Sequence, residues 1–404
     1  MASATTIRGT DRLTVSVVLP CLNEVESVGR CVREATAAIH AAGWSGEVIV
    51  ADNGSSDGSQ EEARAHGARV IVEHERGYGA ALRRGFVSAG GEIIVMADAD
   101  LTYPLDKLAL LVEPVLQGDA DIVYGGRLEA ANRRSMPLLH RYVGTPALTF
   151  LVARACGGTR LRDSQSGFRA FRRSTIDALN IRSPGMELNS ELLIKAAQAG
   201  LRVIEVPTGY RPRVGVSKLD TFADGWRNLR TILLLAPEIL LIWPGLVLGV
   251  LGLAMTLATI AIPSGIPIGS LRWQPVFFSN IALVVGGTAA VSGMFLANRS
   301  QLVAVKLQRR YAWVDEPSTA RRAMIAGAVS AATGMAIDLV LLANWAVGRQ
   351  APEIGQGVAS LGQSAITLGV IAFMSGLVSR LVSERRAVGL VSVAPVEGDR
   401  RAVG

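Results

Sequence analysis

The segment Met96-Ala97-Asp98-Ala99-Asp100 puts two carboxylates directly behind an apolar run. Acids at the end of a buried strand are costly unless something binds them. Residues two apart on an extended backbone point to the same side, so Asp98 and Asp100 can share one divalent cation, Mg²⁺ or Mn²⁺, through oxygen ligands. A metal held there would contact a bound diphosphate and neutralise charge on a leaving group. The competing reading is an acidic turn ahead of Pro104.

Other polar clusters occupy comparable places. Pro20-Cys21-Leu22-Asn23-Glu24 follows a first apolar run, and Asp52-Asn53-Gly54-Ser55-Ser56-Asp57-Gly58 follows a second. Asn, Ser and Asp serve turns and N-caps as readily as ligands. Their joint position favours base and ribose recognition, with Asp52 accepting hydrogen bonds from the nucleotide. In Arg76-Gly77-Tyr78-Gly79, the glycines either admit a phosphate to a helix N-terminus or make an ordinary turn. Arg127, Arg141, Arg162, Arg169, Arg211, Arg213 and Lys218 are many cations for one domain. Guanidinium groups match two phosphate oxygens at once, and Arg127, Arg169 and Arg213 are the first choices. The segment Asp163–Arg169 reads as a polar loop.

The elements that must position these residues follow from periodicity. Val15–Leu19, Glu47–Ala51, Arg69–Val72, Ile93–Ala97 and Asp121–Tyr124 read as strands, the early ones each followed by an amphipathic stretch. That βαβ rhythm predicts an α/β domain with a largely parallel, Rossmann-like, doubly wound sheet. In such sheets ligands bind beyond the carboxyl ends of the strands.

Beyond Leu240 the character changes. Leu240–Ile262, Pro275–Ala297, Ala323–Val347 and Gly357–Val382 are each apolar over the ~20 residues a helix needs to cross a bilayer. The connector from Asn298 to Arg322 carries Arg299, Lys306, Arg309, Arg310, Arg321 and Arg322, whereas the other two contain only Arg272 and Arg349. A basic connector belongs on the cytoplasmic side, which puts the first domain and the C-terminal tail there too. The expected organisation is a catalytic domain over residues 1–220, an interfacial amphipathic segment over 221–238, four transmembrane helices over 239–384 and a cytosolic tail over 385–404, in a multi-pass protein of the cell (inner) membrane. Phe222, Trp226, Leu229 and Leu233 recur at helical spacing with Arg227 and Arg230 between them, as on an interfacial helix. Asp338 lies inside the third span, where an ionisable group is expensive; a neighbouring Asn or Ser is its expected partner, and a transport role the rival account.

The chain has 404 residues, a net charge of +7, three cysteines and four histidines. Neither a disulfide framework nor a zinc spacing is present. Many basic residues sit in connectors between apolar blocks or near phosphate-loop candidates, which favours membrane and phosphorylated ligands over nucleic acid. The short apolar run after Arg8 and Arg12 is too brief for a signal-peptide core.

These residues resemble family 2 glycosyltransferases of GT-A fold, specifically the dolichyl- and polyprenyl-phosphate sugar synthases, from Val15 to about Leu219. The points of resemblance are Pro20-x-x-Asn23-Glu24, Asp52–Gly58, Gly77-Tyr78-Gly79, Asp98-Ala99-Asp100-Leu101, Gly126-Arg127, Ser166-Gly167-Phe168-Arg169, Glu205-Val206-Pro207 and Gly215-Val216-Ser217-Lys218. The resemblance implies that Asp98 and Asp100 hold Mg²⁺ or Mn²⁺ and that Pro20, Asn23, Glu24, Asp52, Gly77, Gly79, Asp98, Ala99 and Glu191 surround the nucleotide-sugar. Arg127, Arg141, Arg211, Arg213, Ser217 and Lys218 would handle the acceptor phosphate, with Asp100, Arg127, Arg169, Arg213 and Lys218 catalytic. It also implies a polyprenyl or dolichyl phosphate acceptor, inversion at the sugar, a UDP-glucose or GDP-mannose donor and a possible homo-oligomer. Two positions depart from the family pattern: Asn53 stands where a second acid is common, and Thr102 where Gln is, with Thr102 still able to reach a metal weakly or through water. Met186-Glu187-Leu188-Asn189-Ser190-Glu191 matches a polar segment near the sugar. Glu187, Asn189 and Glu191 are candidates there for sugar contacts or helix capping. Two rival functions are a processive polysaccharide synthase, whose Gln-x-x-Arg-Trp pattern is absent, and a sugar-lipid transporter with a nucleotide-sugar-binding domain.

Overall fold

The computed structural model describes residues 13–127, 145–158, 161–215, 221–262, 266–268, 271–273, 275–300, 305–347 and 355–387. The chain divides into two compact units, Met1–Ala236 and Pro237–Gly404.

Among the described residues the first unit is built on seven strands: β1 (Val15–Cys21), β2 (Gly46–Asp52), β3 (Arg69–Val72), β4 (Ile93–Met96), β5 (Ile122–Gly126), β6 (Arg169–Arg172) and β7 (Val203–Pro207). Their order is β3-β2-β1-β4-β6-β5-β7. All pairings are parallel except those of β6, which runs antiparallel to both β4 and β5. Alternation along β1 and β4 sends side chains to two cores. Val15, Val17, Leu19, Ile93 and Val95 pack into one with α1 (Val28–Ala41) and α4 (Leu108–Gln117). Val18, Ile94 and Met96 pack into the other with α3 (Tyr78–Ser88), α6 (Arg173–Leu179) and α7 (Leu188–Gln198). Burial on both faces is why these strands read as continuous apolar runs, and each large side chain so buried contributes about 1.5–3 kcal/mol. The helix α2 (Ser59–Ala65) packs beside α1, β2 and the edge strand β3. Since β1 is flanked by β2 and β4, the order reverses between β1 and β4, and a crevice opens at their carboxyl ends.

The predicted strands are all present, and β6 and β7 are additional. Arg169, expected at the end of a polar loop, instead opens β6, opposite Met96 and Tyr124. A four-residue strand with arginine at both ends carries no alternation to detect. The helix α5 (Thr145–Ala155) packs against α7 and α8 (Thr221–Leu235). Within this unit α8 buries Asn228, Ile232 and Leu235 and leaves Trp226 exposed, with Leu229 and Leu233 half-buried.

Among the described residues, the second unit contains four helices long and apolar enough to cross a membrane: Glu238–Ala261, Phe278–Arg299, Pro317–Ala346 and Gly357–Leu381. They lie within α9 (Trp243–Ala261, led by a π-turn), α10 (Val276–Arg299), α12 (Pro317–Ala346) and α13 (Gly355–Ala387); a short hairpin, β8 (Ile266–Ile268) with β9 (Leu271–Trp273), joins the first two. The helices pack closely through glycine: a Cβ on Gly286 would sit 2.3 Å from the Gly249 nitrogen, and one on Gly369 2.6 Å from the Ala331 nitrogen. The connector holds α11 (Val305–Arg310) and a 3₁₀ turn at Ala312–Asp315. Asp315 pairs with Arg299 at 2.7 Å and accepts a hydrogen bond from Ser379, tying the connector to α10 and α13. Asp338 lies against α13 at Gly362, where a Cβ would come within 2.8 Å of its carboxylate. Its expected Asn or Ser partner is not found among the described residues, because the facing position is glycine.

Candidate active site

A cavity of about 450 Å³ occupies the crevice of the first unit. Pro20, Cys21, Leu22 and Glu24 contribute to it from the end of β1, Asn53 from the end of β2, and Asp98, Ala99 and Asp100 from the end of β4. Arg76, Gly77, Tyr78 and Ala81 come from the start of α3, Pro184 to Glu187 from the loop before α7, Arg213 from the segment after β7, and Asp224 and Arg227 from α8. The loops behind β1 and β2 are stitched together: Ser55 Oγ accepts the Asn23 N–H, Asn23 Oδ1 accepts the Ser56 N–H, and Ser59 Oγ accepts the Glu24 N–H.

The two carboxylates are held differently. Tyr78 donates its hydroxyl to Asp98 Oδ1 at 2.8 Å. Asp100 Oδ1 accepts both the backbone N–H and the hydroxyl of Thr102, at 3.0 and 2.6 Å, while Oδ2 faces Arg213 at 3.3 Å. Burial, then the charge of Asp100, pushes the Asp98 carboxyl up to about 7. Leu101 between these contacts has φ +66°, a left-handed conformation unusual for leucine. It is an observed strain point of the kind that collects at functional sites.

The donor set suits a divalent cation. Among the described residues no group of three or more His, Cys, Asp or Glu side chains converges on one point, so the protein would supply Asp98 and Asp100 alone. That matches Mg²⁺-type sites, which take one or two carboxylates and complete their shell with substrate phosphates and water. Thr102 spends its hydroxyl on Asp100, and therefore steadies that carboxylate.

The arginines separate sharply. Arg213 reaches the cavity, bridging Glu24 at 2.6 Å and Asp100. Arg127 does not line it: it forms a two-point pair with buried Asp163, at 2.6 and 2.9 Å, and stacks over Tyr210. That pair holds the Asp163 carboxyl below its ordinary range against the opposing effect of burial. Arg169 is fully buried and donates to the carbonyls of Ser164, Ser166 and Asn189, so no donor edge is turned to a ligand. Arg211 pairs with Glu34 and Asp106 away from the cavity. Arg141, Ser217 and Lys218 lie outside the described residues.

Two further readings change. A Cβ on Gly77 would stand 2.2 Å from the Pro184 carbonyl, and one on Gly79 2.3 Å from that of Ser183. The close approach these glycines permit is therefore to protein backbone, though Gly77 also lines the cavity. Glu191 accepts the backbone N–H groups of Arg182 and Ser183 and pairs with Lys195, so it shapes the loop from behind and does not line the cavity. Asp52 Oδ2 accepts from Gly54, Ser55 and Gln60, while its buried Oδ1 has no partner among the described residues. The Cys21 thiol is pushed up to about 11, chiefly by burial and then by Asp52, and so stays protonated at neutral pH. Arg76, Asp224 and Arg227 also line the cavity, and of these only Arg76 carries a sequence signal, its place beside Gly77-Tyr78-Gly79.

Residues 16–179 match the sequence model of glycosyl transferase family 2. Over 336 residues the chain is 35% identical to the low-salt glycan biosynthesis hexosyltransferase Agl6 of Haloferax volcanii, a match covering 82% of this chain and 80% of that one. The chain belongs to glycosyltransferase family 2. This glycosyltransferase is also 33% identical over 211 residues to the dolichyl-phosphate hexose transferase of the same organism, covering 52% of this chain and 89% of that one. Against the dolichol-phosphate mannosyltransferase of Pyrococcus furiosus the identity is 31% over 215 residues, covering 51% and 59%. The first unit of the family 2 transferase is its GT-A domain, with a mixed, mostly parallel sheet.

Proposed function

We propose that this glycosyltransferase moves a hexose from a nucleotide-sugar, UDP-glucose or GDP-mannose, to polyprenyl or dolichyl phosphate with inversion, at the cytoplasmic face of a membrane. One observation carries the reading: a cavity bearing the Asp98/Asp100 pair and Arg213 occurs in the same chain as four helices able to span a bilayer. The names borne by its relatives, dolichyl-phosphate hexose transferase and dolichol-phosphate mannosyltransferase, favour a lipid phosphate over a soluble acceptor.

In this reading Asp98 and Asp100 hold Mg²⁺ or Mn²⁺, which neutralises the leaving nucleoside diphosphate when bound. Asp52 is fully buried behind Asn53 and does not itself line the cavity, but its Oδ1, without a partner among the described residues, is a costly unmade acceptor that a base or ribose donor reaching past Asn53 would satisfy. Arg213, fixed between Glu24 and Asp100, provides a cation beside the carboxylates for a phosphate oxygen. The acceptor phosphate needs no strong base, because a phosphate monoester with a second pKa near 6 is largely dianionic at neutral pH. Holding it against the anomeric carbon supplies acceleration through proximity.

The test is to incubate membranes containing the chain with labelled UDP-glucose or GDP-mannose, polyprenyl phosphate and Mg²⁺ or Mn²⁺, alongside a wider donor panel. Label is expected in the lipid fraction as a phosphate-linked sugar. Absence of labelled lipid across the panel sinks the reading.

A further inference from the structure

We propose that Glu187 is the residue that reads the donor's sugar, accepting hydrogen bonds from sugar hydroxyls through Oε2. The inference rests on the nucleotide-sugar reading above. Glu187 lines the cavity and is only 5% exposed. Its Oε1 accepts the Gly185 N–H at 3.0 Å, which fixes the carboxylate, whereas its buried Oε2 has no partner among the described residues. A carboxylate oxygen withdrawn from water and left unpaired is destabilising unless a ligand completes it. The wall is shaped around this group: a Cβ on Gly185 would stand 2.5 Å from Oε2.

The chemistry of that oxygen narrows what it meets. A carboxylate is an acceptor only, and it repels phosphate, which excludes the diphosphate as its ligand. No described basic side chain pairs with it, and it does not group with Asp98 and Asp100 as a third metal ligand. Within a nucleotide-sugar, the hydroxyls of the sugar supply clustered donors, and adjacent hydroxyls can satisfy one carboxylate. Glu191, the acid preferred from the sequence, spends both oxygens on the 182–183 backbone and Lys195. The loop thus has one acid supporting it from behind and another facing the ligand.

The experiment measures equilibrium binding of UDP-glucose and GDP-mannose, each against UDP and GDP, to the full chain in detergent with Mn²⁺. The variants are Glu187→Gln and, independently, Gly185→Ala, which displaces the carboxylate without removing it. In the wild type the preferred sugar nucleotide should bind about 10-fold or more tighter than its nucleoside diphosphate, the gain expected of a charge-assisted hydrogen bond. Both variants should erase most of that increment while the nucleoside diphosphate affinity stays within about twofold, and a donor lacking the contacted hydroxyl should bind wild type and Glu187→Gln alike. An unchanged sugar increment in the variants overturns the assignment, as does an equal loss for sugar nucleotide and nucleoside diphosphate, the mark of a merely structural role. These readouts need no acceptor, so a failure of lipid labelling counts against the transfer reaction and leaves the assignment of Glu187 to be judged by binding.

Discussion

Asp98 and Asp100 show how one pair of residues is tuned by unlike surroundings. Asp100 is fully engaged by Thr102 and Arg213, whereas Asp98 has one tyrosine donor and a carboxyl pushed up to about 7. A carboxyl raised in the folded state binds its proton more tightly there than in the unfolded chain. Without metal, stability should therefore fall as pH rises from about 4 to about 7. Metal binds the ionised form, so its benefit should grow over the same window. The increase in melting temperature on adding Mn²⁺ should be larger at pH 8 than at pH 6; an equal or smaller increase at pH 8 contradicts the account. Asp100→Asn should lower lipid labelling at least ~100-fold, whereas a transporter that only binds the nucleotide would keep its transport. Arg127 belongs to a different class. Arg127→Met leaves Asp163 buried without its partner and should cost about 3–5 kcal/mol of stability, read as a fall in melting temperature.

At the scale of elements, glycine governs how closely backbones approach in both units. Gly79→Ala would drive a methyl into the Ser183 carbonyl, so α3 and the loop carrying Glu187 must separate. Overpacking of this kind costs about 1–3 kcal/mol, and Gly79→Ala should therefore weaken donor binding as well as lower the melting temperature. Gly286→Val meets the backbone of α9 at Gly249. It should loosen the α9/α10 pair, measurable as faster cross-linking loss between introduced cysteines or a lower melting temperature in detergent. The strands β1, β4 and β5 were legible because burial on both faces makes them largely apolar. β6 was not, because Arg169 is buried by satisfying three carbonyls rather than by being apolar. A side chain whose burial depends on distant acceptors leaves no periodic trace.

For the whole molecule, the four apolar helices found among the described residues, together with the basic connector, lead us to propose an even number of crossings, with residues before the first span and the connector on one side of the membrane. Single cysteines at exposed positions of the connector and of the β8–β9 hairpin should label from opposite sides of sealed vesicles; labelling from one side contradicts this topology. What the sequence alone determined were features written in local pattern: the carboxylate pair behind β4, the alternation that builds a parallel sheet, and runs long enough to cross a bilayer. Each depends on neighbours within a few residues or on length. What only the tertiary structure decided was the destination of long polar side chains. It brought Arg213 to Asp100 across 113 positions of sequence, and sent Arg127 and Arg169 into the protein. It also placed Glu187, and not Glu191, in the wall of the cavity. The physical reason is that a guanidinium or carboxylate is placed by whichever opposite charge or carbonyl folding delivers to it, and that partner is not encoded in adjacent residues.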